Sequence, residues 1–114
     1  MPSLTLYIDN NIDHNLNQQT LRTIEENIVE IIVKEFDANQ DNCQICWVNS
    51  EMFTSNYKIL GEMKFRQKKS RDKNKKENCL KKIGNILKNN FKVSIRLRAF
   101  SIENASLTAL DIKN

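Results

Sequence analysis

The chain has 114 residues, 39% of them hydrophobic, with 2 glycines and 1 proline; that is the size of one domain, residues 1–114, with material for one core. No apolar run approaches the roughly 20 residues of a membrane span, no charged-then-apolar leader opens the chain, and 3 cysteines, an odd number, do not make a disulfide scaffold. The expectation is a cytoplasmic protein with reduced thiols and no membrane partner. The net charge of +4 is unevenly spread: residues 64–82 hold 10 of the 18 lysines and arginines, while residues 23–41 carry Glu25, Glu26, Glu30, Glu35, Asp37 and Asp41 against Lys34 alone.

A first strand is expected over residues 3–9, with Leu4, Leu6 and Ile8 on one side. An Asn- and Asp-rich loop follows over residues 10–18 and holds the lone His14. Leu21, Ile24, Ile28, Ile31, Ile32 and Phe36 recur every three or four residues, which predicts an amphipathic helix over residues 19–38 with a weak cap at Thr20. "CQICWVN", residues 43–49, reads as strand two. Past a polar turn near residues 54–56, strand three runs over residues 57–66. There Tyr57, Ile59, Gly61, Met63 and Phe65 alternate with Lys58, Leu60, Glu62, Lys64 and Arg66. The charged link "RQKKSRDKNKK" leads to helix two over residues 73–90, with Cys79, Leu80, Ile83, Ile86, Leu87 and Phe91 on one face and Asn89–Asn90 as its stop. Strand four is expected over residues 92–100, then a tail over residues 101–114 with a last short apolar alternation. The fold class is α/β (α+β), β-α-β-β-α-β: a four-stranded mixed sheet with two helices on one face. Trp47, Phe100 and Ile102 suggest a second apolar sheet face, which would be buried by oligomerisation, and Trp47 and Phe100 read as core or interface residues rather than substrate walls.

Pro2 admits two readings. A proline is tolerated at a strand's first position because its missing N–H is not needed there. Alternatively, removal of Met1 leaves a free secondary amine fixed at the head of a strand. Such an amine serves as a general base once burial or neighbouring cations lower its pKa. "CQIC" has the C-x-x-C spacing, but positions i and i+3 of a strand point to opposite faces, so Cys43 and Cys46 cannot share a metal. No second pair completes a four-ligand set, and the expectation is no metal and no redox role. Cys79 reads as core. The basic run, residues 64–82, reads either as a solvated helix entry or as a set of phosphate contacts; poor aromatic interleaving, with Phe65 alone inside it, argues against nucleic acid.

With this element order, the "MP" start and the stretches "ICWVNSEMF", "NYKILGEMKF", "KKIGNILKNNF" and "LRAFSIEN", the chain resembles the tautomerase superfamily over nearly its whole length. It is most similar to the 5-carboxymethyl-2-hydroxymuconate isomerases, and similar also to the macrophage migration inhibitory factor group. The resemblance implies a homotrimer and a cofactor-free keto–enol isomerase acting on a small carboxylate, with Pro2 as the base. Cations would hold the carboxylate and stabilise the enolate. The muconate isomerases place an arginine at the start of strand two. Here Asn42 and Gln44 stand in its place, and an amide bonds a carboxylate oxygen without neutralising it. Arg71 falls near a basic position in the family's link before helix two. Arg96 and Arg98 share a face of strand four and, in a trimer, would face a neighbour's Pro2. Catalytic Pro2, with Arg71, Arg96, Arg98 and Gln44 binding a 2-oxo or enol carboxylate, is one expectation. The alternative is a catalytically inactive trimer that binds a protein, an anion or a nucleic acid through the lysine-rich 64–82 segment.

Overall fold

In a computed structural model, which describes residues 2–12 and 17–114, the elements are β1 (Ser3–Asp9), α1 (Gln18–Phe36), β2 (Gln44–Ser50), β3 (Ile59–Arg66), α2 (Lys73–Phe91) and β4 (Ile95–Ile102). Single 3₁₀ turns lie at Gln40–Asn42 and Asn104–Ser106. The expected order stands, and the corrections fall at the ends. α1 starts one residue early because Asn17, not Thr20, is its cap: the Asn17 side chain accepts from the Thr20 N–H at 2.9 Å. It stops at Phe36 because Asp37 turns left-handed, with φ 49°. α2 is capped by Asp72, which accepts from the Lys75 N–H at 2.9 Å, and ends where Lys92 turns left-handed, with φ 55°. Lys92 therefore closes a helix rather than opening a strand, and β4 is displaced to Ile95–Ile102. β3 begins at Ile59, not Tyr57, and Ser101 and Ile102 belong to β4 rather than to the tail. His14 lies outside the described residues.

The sheet order is β2-β1-β3-β4. β1 pairs parallel with β2 and antiparallel with β3, and β3 pairs parallel with β4. The register sets Ser3 opposite Lys64 and Ile8 opposite Ile59, so the start of β1 shares one end of the sheet with the finish of β3. Each helix buries one residue per turn at a spacing of four: Ile24, Ile28, Ile32 and Phe36 on α1; Cys79, Ile83, Leu87 and Phe91 on α2. They meet Leu4, Leu6 and Ile8 of β1 and Ile59, Met63 and Phe65 of β3 in one core. Each of these side chains contributes about 1.5–3 kcal/mol by leaving water. Gly61 sits where a β-carbon would come within 2.5 Å of the Leu97 Cδ2, so glycine lets β4 pack close to β3 at that point.

The expectation for the outer sheet face holds for Phe100, which is exposed there, but not for Trp47. Trp47 is on the helix side, where its ring lies 6.0 Å from Phe91 and its indole N–H donates to Glu25 of α1. The register fills the outer face with mixed rows: Cys46, Thr5, Glu62 and Arg98 in one; Val48, Tyr7, Leu60 and Arg96 in the next; Gln44, Ser3, Lys64 and Phe100 in a third. The most exposed large apolar side chains are Phe53, beyond β2, and Leu110 and Ile112 of the tail. Among the described residues, no helix is long and apolar enough to cross a membrane.

Candidate active site

Pro2 continues the inward alternation of Leu4 and Leu6, and its ring is fully buried. Its carbonyl accepts from the Gln44 N–H at 3.1 Å, which extends the β1–β2 pairing one residue past the strand. β1 is a central strand, paired on both sides from Ser3 onward.

Arg71 stands at the same end of the sheet, and it is 1% exposed. Its Nε donates to the Phe36 carbonyl at 3.0 Å and its Nη1 to the Arg66 carbonyl at 2.7 Å. The first of these carbonyls is left over at the C-terminus of α1, and the second closes β3. The guanidinium also lies 5.5 Å from the Phe36 ring centroid and 5.9 Å from that of Phe65, and those two rings are 4.7 Å apart. Burial lowers the Arg71 pKa, and the nearby Cys43 and Asp37 pull it back. These partners make Arg71 a lock between α1 and β3, and its charge is met at close range by neutral carbonyls rather than by a carboxylate.

Cys43 and Cys46 face opposite ways, as their spacing requires. Cys43 packs against the core and Cys46 is exposed on the outer face. Burial pushes the Cys43 thiol up, with Arg71 acting in the other direction. Cys79 is in the core, and burial, with Glu35 as the next cause, pushes its thiol up to about 12. The Gln44 side chain is exposed on the outer face, one row from Cys46.

The arginines singled out from the sequence do not converge within one chain. Arg96 and Arg98 share the outer face, as expected, but they stand on an edge strand, two strands away from β1. The Arg96 guanidinium lies 5.7 Å from the Tyr57 ring, toward the far end of the sheet, and Arg98 donates to its neighbour's carbonyl at Leu97. At the same end of the sheet, on the outer face opposite to the Pro2 ring, is a cleft of about 270 Å³ lined by Ser3, Lys64, Phe65, Arg66, Ile102, Leu107, Ala109 and Asp111. Lys64 and Arg66 were legible only as members of a basic run. Their place opposite the first residues of β1 follows from the antiparallel register, which has no local signature.

No protein-family model matches the sequence, and no curated protein matches it. Solved structures do. A protein crystallised after inactivation by 2-oxo-3-pentynoate is 8% identical with a TM-score of 0.74, over 94% of this chain and 91% of its own. A wild-type fused 4-OT asymmetric trimer is 11% identical with a TM-score of 0.70, over 94% and 91%. A macrophage migration inhibitory factor-like protein from Entamoeba histolytica is 12% identical with a TM-score of 0.67, over 95% and 94%. The chain therefore has the fold of the tautomerase superfamily.

Proposed function

We propose that this chain, folded as the tautomerases are, is a cofactor-independent keto–enol tautomerase of a 2-oxo or enol carboxylate, and that Pro2 is its general base once Met1 is removed. The observation that carries this reading is the burial of Pro2 on a central strand at the cationic end of the sheet. Burial disfavours an ammonium, and so does the positive charge of Arg71, Lys64 and Arg66 around that end. Both effects move a proline amine down toward working pH, where a base is most effective. With Met1 in place the nitrogen is an amide and has no basicity.

The neutral amine takes a proton from the carbon next to the substrate carbonyl. The electron pair of that C–H bond moves into the carbonyl to form the enolate, and the prolinium returns the proton to oxygen or to another carbon of the conjugated chain. Cations near the enolate oxygen and the carboxylate lower the energy of that charge as it develops. Three of the fused 4-OT neighbours are trimers, and a homotrimer here would bring Arg96 and Arg98 of one copy toward the Pro2 of another. Arg71, already committed to two carbonyls, acts in this scheme chiefly through its charge. Gln44 is held next to Pro2 through its main chain and offers an amide from the outer face.

The test is phenylpyruvate tautomerisation by wild type and Pro2→Ala, on material whose intact mass shows Met1 absent. Alanine can occupy the first strand position, so the fold should persist while activity falls about 10²–10⁴-fold. Activity that survives undiminished ends the role of Pro2.

The binding-module reading keeps one specific support. Lys68, Lys69, Lys75 and Lys81 are exposed, and among the described residues none of them has an ion-pair partner. Under that reading Pro2→Ala is silent, and neutralising those lysines weakens a salt-dependent interaction.

A further inference from the structure

We propose that Cys43 is the positioning residue of Pro2: its thiol, one strand away on the same sheet face, wedges the proline ring against Phe65 and keeps negative charge off the amine. The parallel register pairs Ser3 with Gln44, and the Gln44 N–H on the Pro2 carbonyl extends that pairing by one residue. Cys43 therefore stands beside Pro2 at the spacing of neighbouring strands, about 4.8 Å. On the other side the antiparallel register pairs Ser3 with Lys64, which sets Phe65 next to Pro2. Cys43 packs on the helix side with Ile45 and Trp47, where Pro2 and Phe65 are also buried. One row across the helix face of the sheet thus reads Cys43, Pro2, Phe65. The Phe65 ring is fixed by Phe36, 4.7 Å away between centroids, and the opposite wall is Cys43, at the head of the edge strand.

The connection from α1 to β2 holds that thiol in place. The Asn39 side chain accepts from the Asp41 N–H at 3.1 Å and shapes the 3₁₀ turn, and the Gln40 carbonyl of that turn accepts from the Cys43 N–H at 3.1 Å. The Cys43 Sγ–H donates to the Asn39 carbonyl at 3.5 Å. A thiol that donates to a carbonyl keeps its proton, and partial burial favours the same neutral form. The charged groups around this corner are Arg71 from the link before α2, Asp37 past the end of α1, and Lys76 of α2, 5.9 Å from the Phe65 ring. Cys79 of α2 has Glu35 and Lys82 around it. Lys64 and Arg66 project from the other face of the sheet. A neutral thiol at position 43 leaves Arg71 to disfavour a prolinium, whereas an anion there would stabilise one.

This role deepens the tautomerase reading and rests on it for its catalytic meaning, but the amine can be titrated without catalysis. The chain has 1 proline, so nitrogen-15 labelling of proline gives a single NMR signal, followed against pH in protein whose intact mass shows Pro2 as the first residue. Cys43→Asp should raise the pKa of the amine by about 1 pH unit or more. Cys43→Ser, which keeps a neutral donor for the Asn39 carbonyl, should leave it unmoved, as should Cys46→Asp on the outer face. In phenylpyruvate tautomerisation, Cys43→Ala should lower kcat severalfold at unchanged KM, Cys43→Ser should restore it, and the acidic limb of kcat/KM in Cys43→Asp should move with the amine. An amine that shifts while the limb stays put supports the placement and ends the role of Pro2 as base, so the two failures are distinguishable. If Cys43→Asp does not fold, a wild-type NOE between the Pro2 ring protons and the Cys43 β-protons reads the same contact. The proposal is overturned if that NOE is absent, if Cys43→Asp leaves the amine unmoved, or if Cys46→Asp moves it as far.

Discussion

At the far end of the sheet, Asp9 is 2% exposed, and its carboxylate meets an opposite charge, Lys58 Nζ at 3.3 Å. It also accepts from the Asn11 N–H at 3.1 Å. At the Pro2 end the buried charge is Arg71, which meets carbonyl oxygens and aromatic faces. In both cases the polar groups are satisfied, which is the condition for burying them at all. The consequences differ. Lys58 neutralises Asp9, whereas Arg71 keeps its charge among neutral partners, with Asp37 near it and Lys64 and Arg66 exposed at the same end. A base that must lose a proton near pH 7 gains from standing at the second end and not the first.

The largest expected effect is at Arg71. Arg71→Met keeps most of the volume but strands the Phe36 and Arg66 carbonyls, at a cost of about 2–4 kcal/mol. Urea unfolding reads it directly, and a loss under about 1 kcal/mol would show that Arg71 is not the lock described. Asp9→Asn should cost less, about 1–2 kcal/mol, because the released Lys58 is 41% exposed and returns to water. If Asp9→Asn proved the more damaging of the two, the contrast between the ends would be reversed.

A smaller effect comes from the buried thiol of Cys79. Its folded pKa is raised from 9.0 to about 12, so below about pH 9 the proton is on in both states and the group adds no pH dependence. Above that, the unfolded chain gives up the proton and the folded chain keeps it. Stability is therefore lost as pH rises from about 9 to about 12, at up to roughly 1.4 kcal/mol per pH unit. Urea midpoints at pH 8 and pH 10 should separate in wild type and draw together in Cys79→Ala, once the latter's cavity cost at pH 8 is subtracted. The smallest effect is expected at Cys46, exposed on the outer face: Cys46→Ser should stay within about 0.5 kcal/mol of wild type. A thiol reagent should modify Cys46 first and Cys79 only on unfolding. Early reaction at Cys79 would contradict its burial.

The helices were legible because their apolar residues repeat every three or four positions, and β3 was legible because its pattern repeats every two. Trp47 was open between core and interface, since a large aromatic on a strand does not declare which face it takes until the parity of Ile45 and Trp47 against Gln44 and Cys46 is set by packing. Arg71 looked like a carboxylate ligand for a similar reason. A lysine-rich link reads as solvated, and nothing local distinguishes the one cation whose side chain turns inward beneath the α1 terminus. Arg96 and Arg98 were correctly placed on one face, but their distance from β1 depends on strand order.

Taken alone, the sequence determined the six elements and their order, the inward sides of β1, β3 and both helices, and the opposed faces of Cys43 and Cys46. These follow from backbone periodicity, which each segment carries in its own residues. Tertiary structure decided which groups meet. It put Lys64 opposite Ser3, buried Arg71 between two aromatic rings, gave Asp9 its Lys58, and laid Leu107 and Asp111 beside the start of a strand more than a hundred residues earlier. Those contacts join residues far apart along the chain, and their register is set by how the whole core closes.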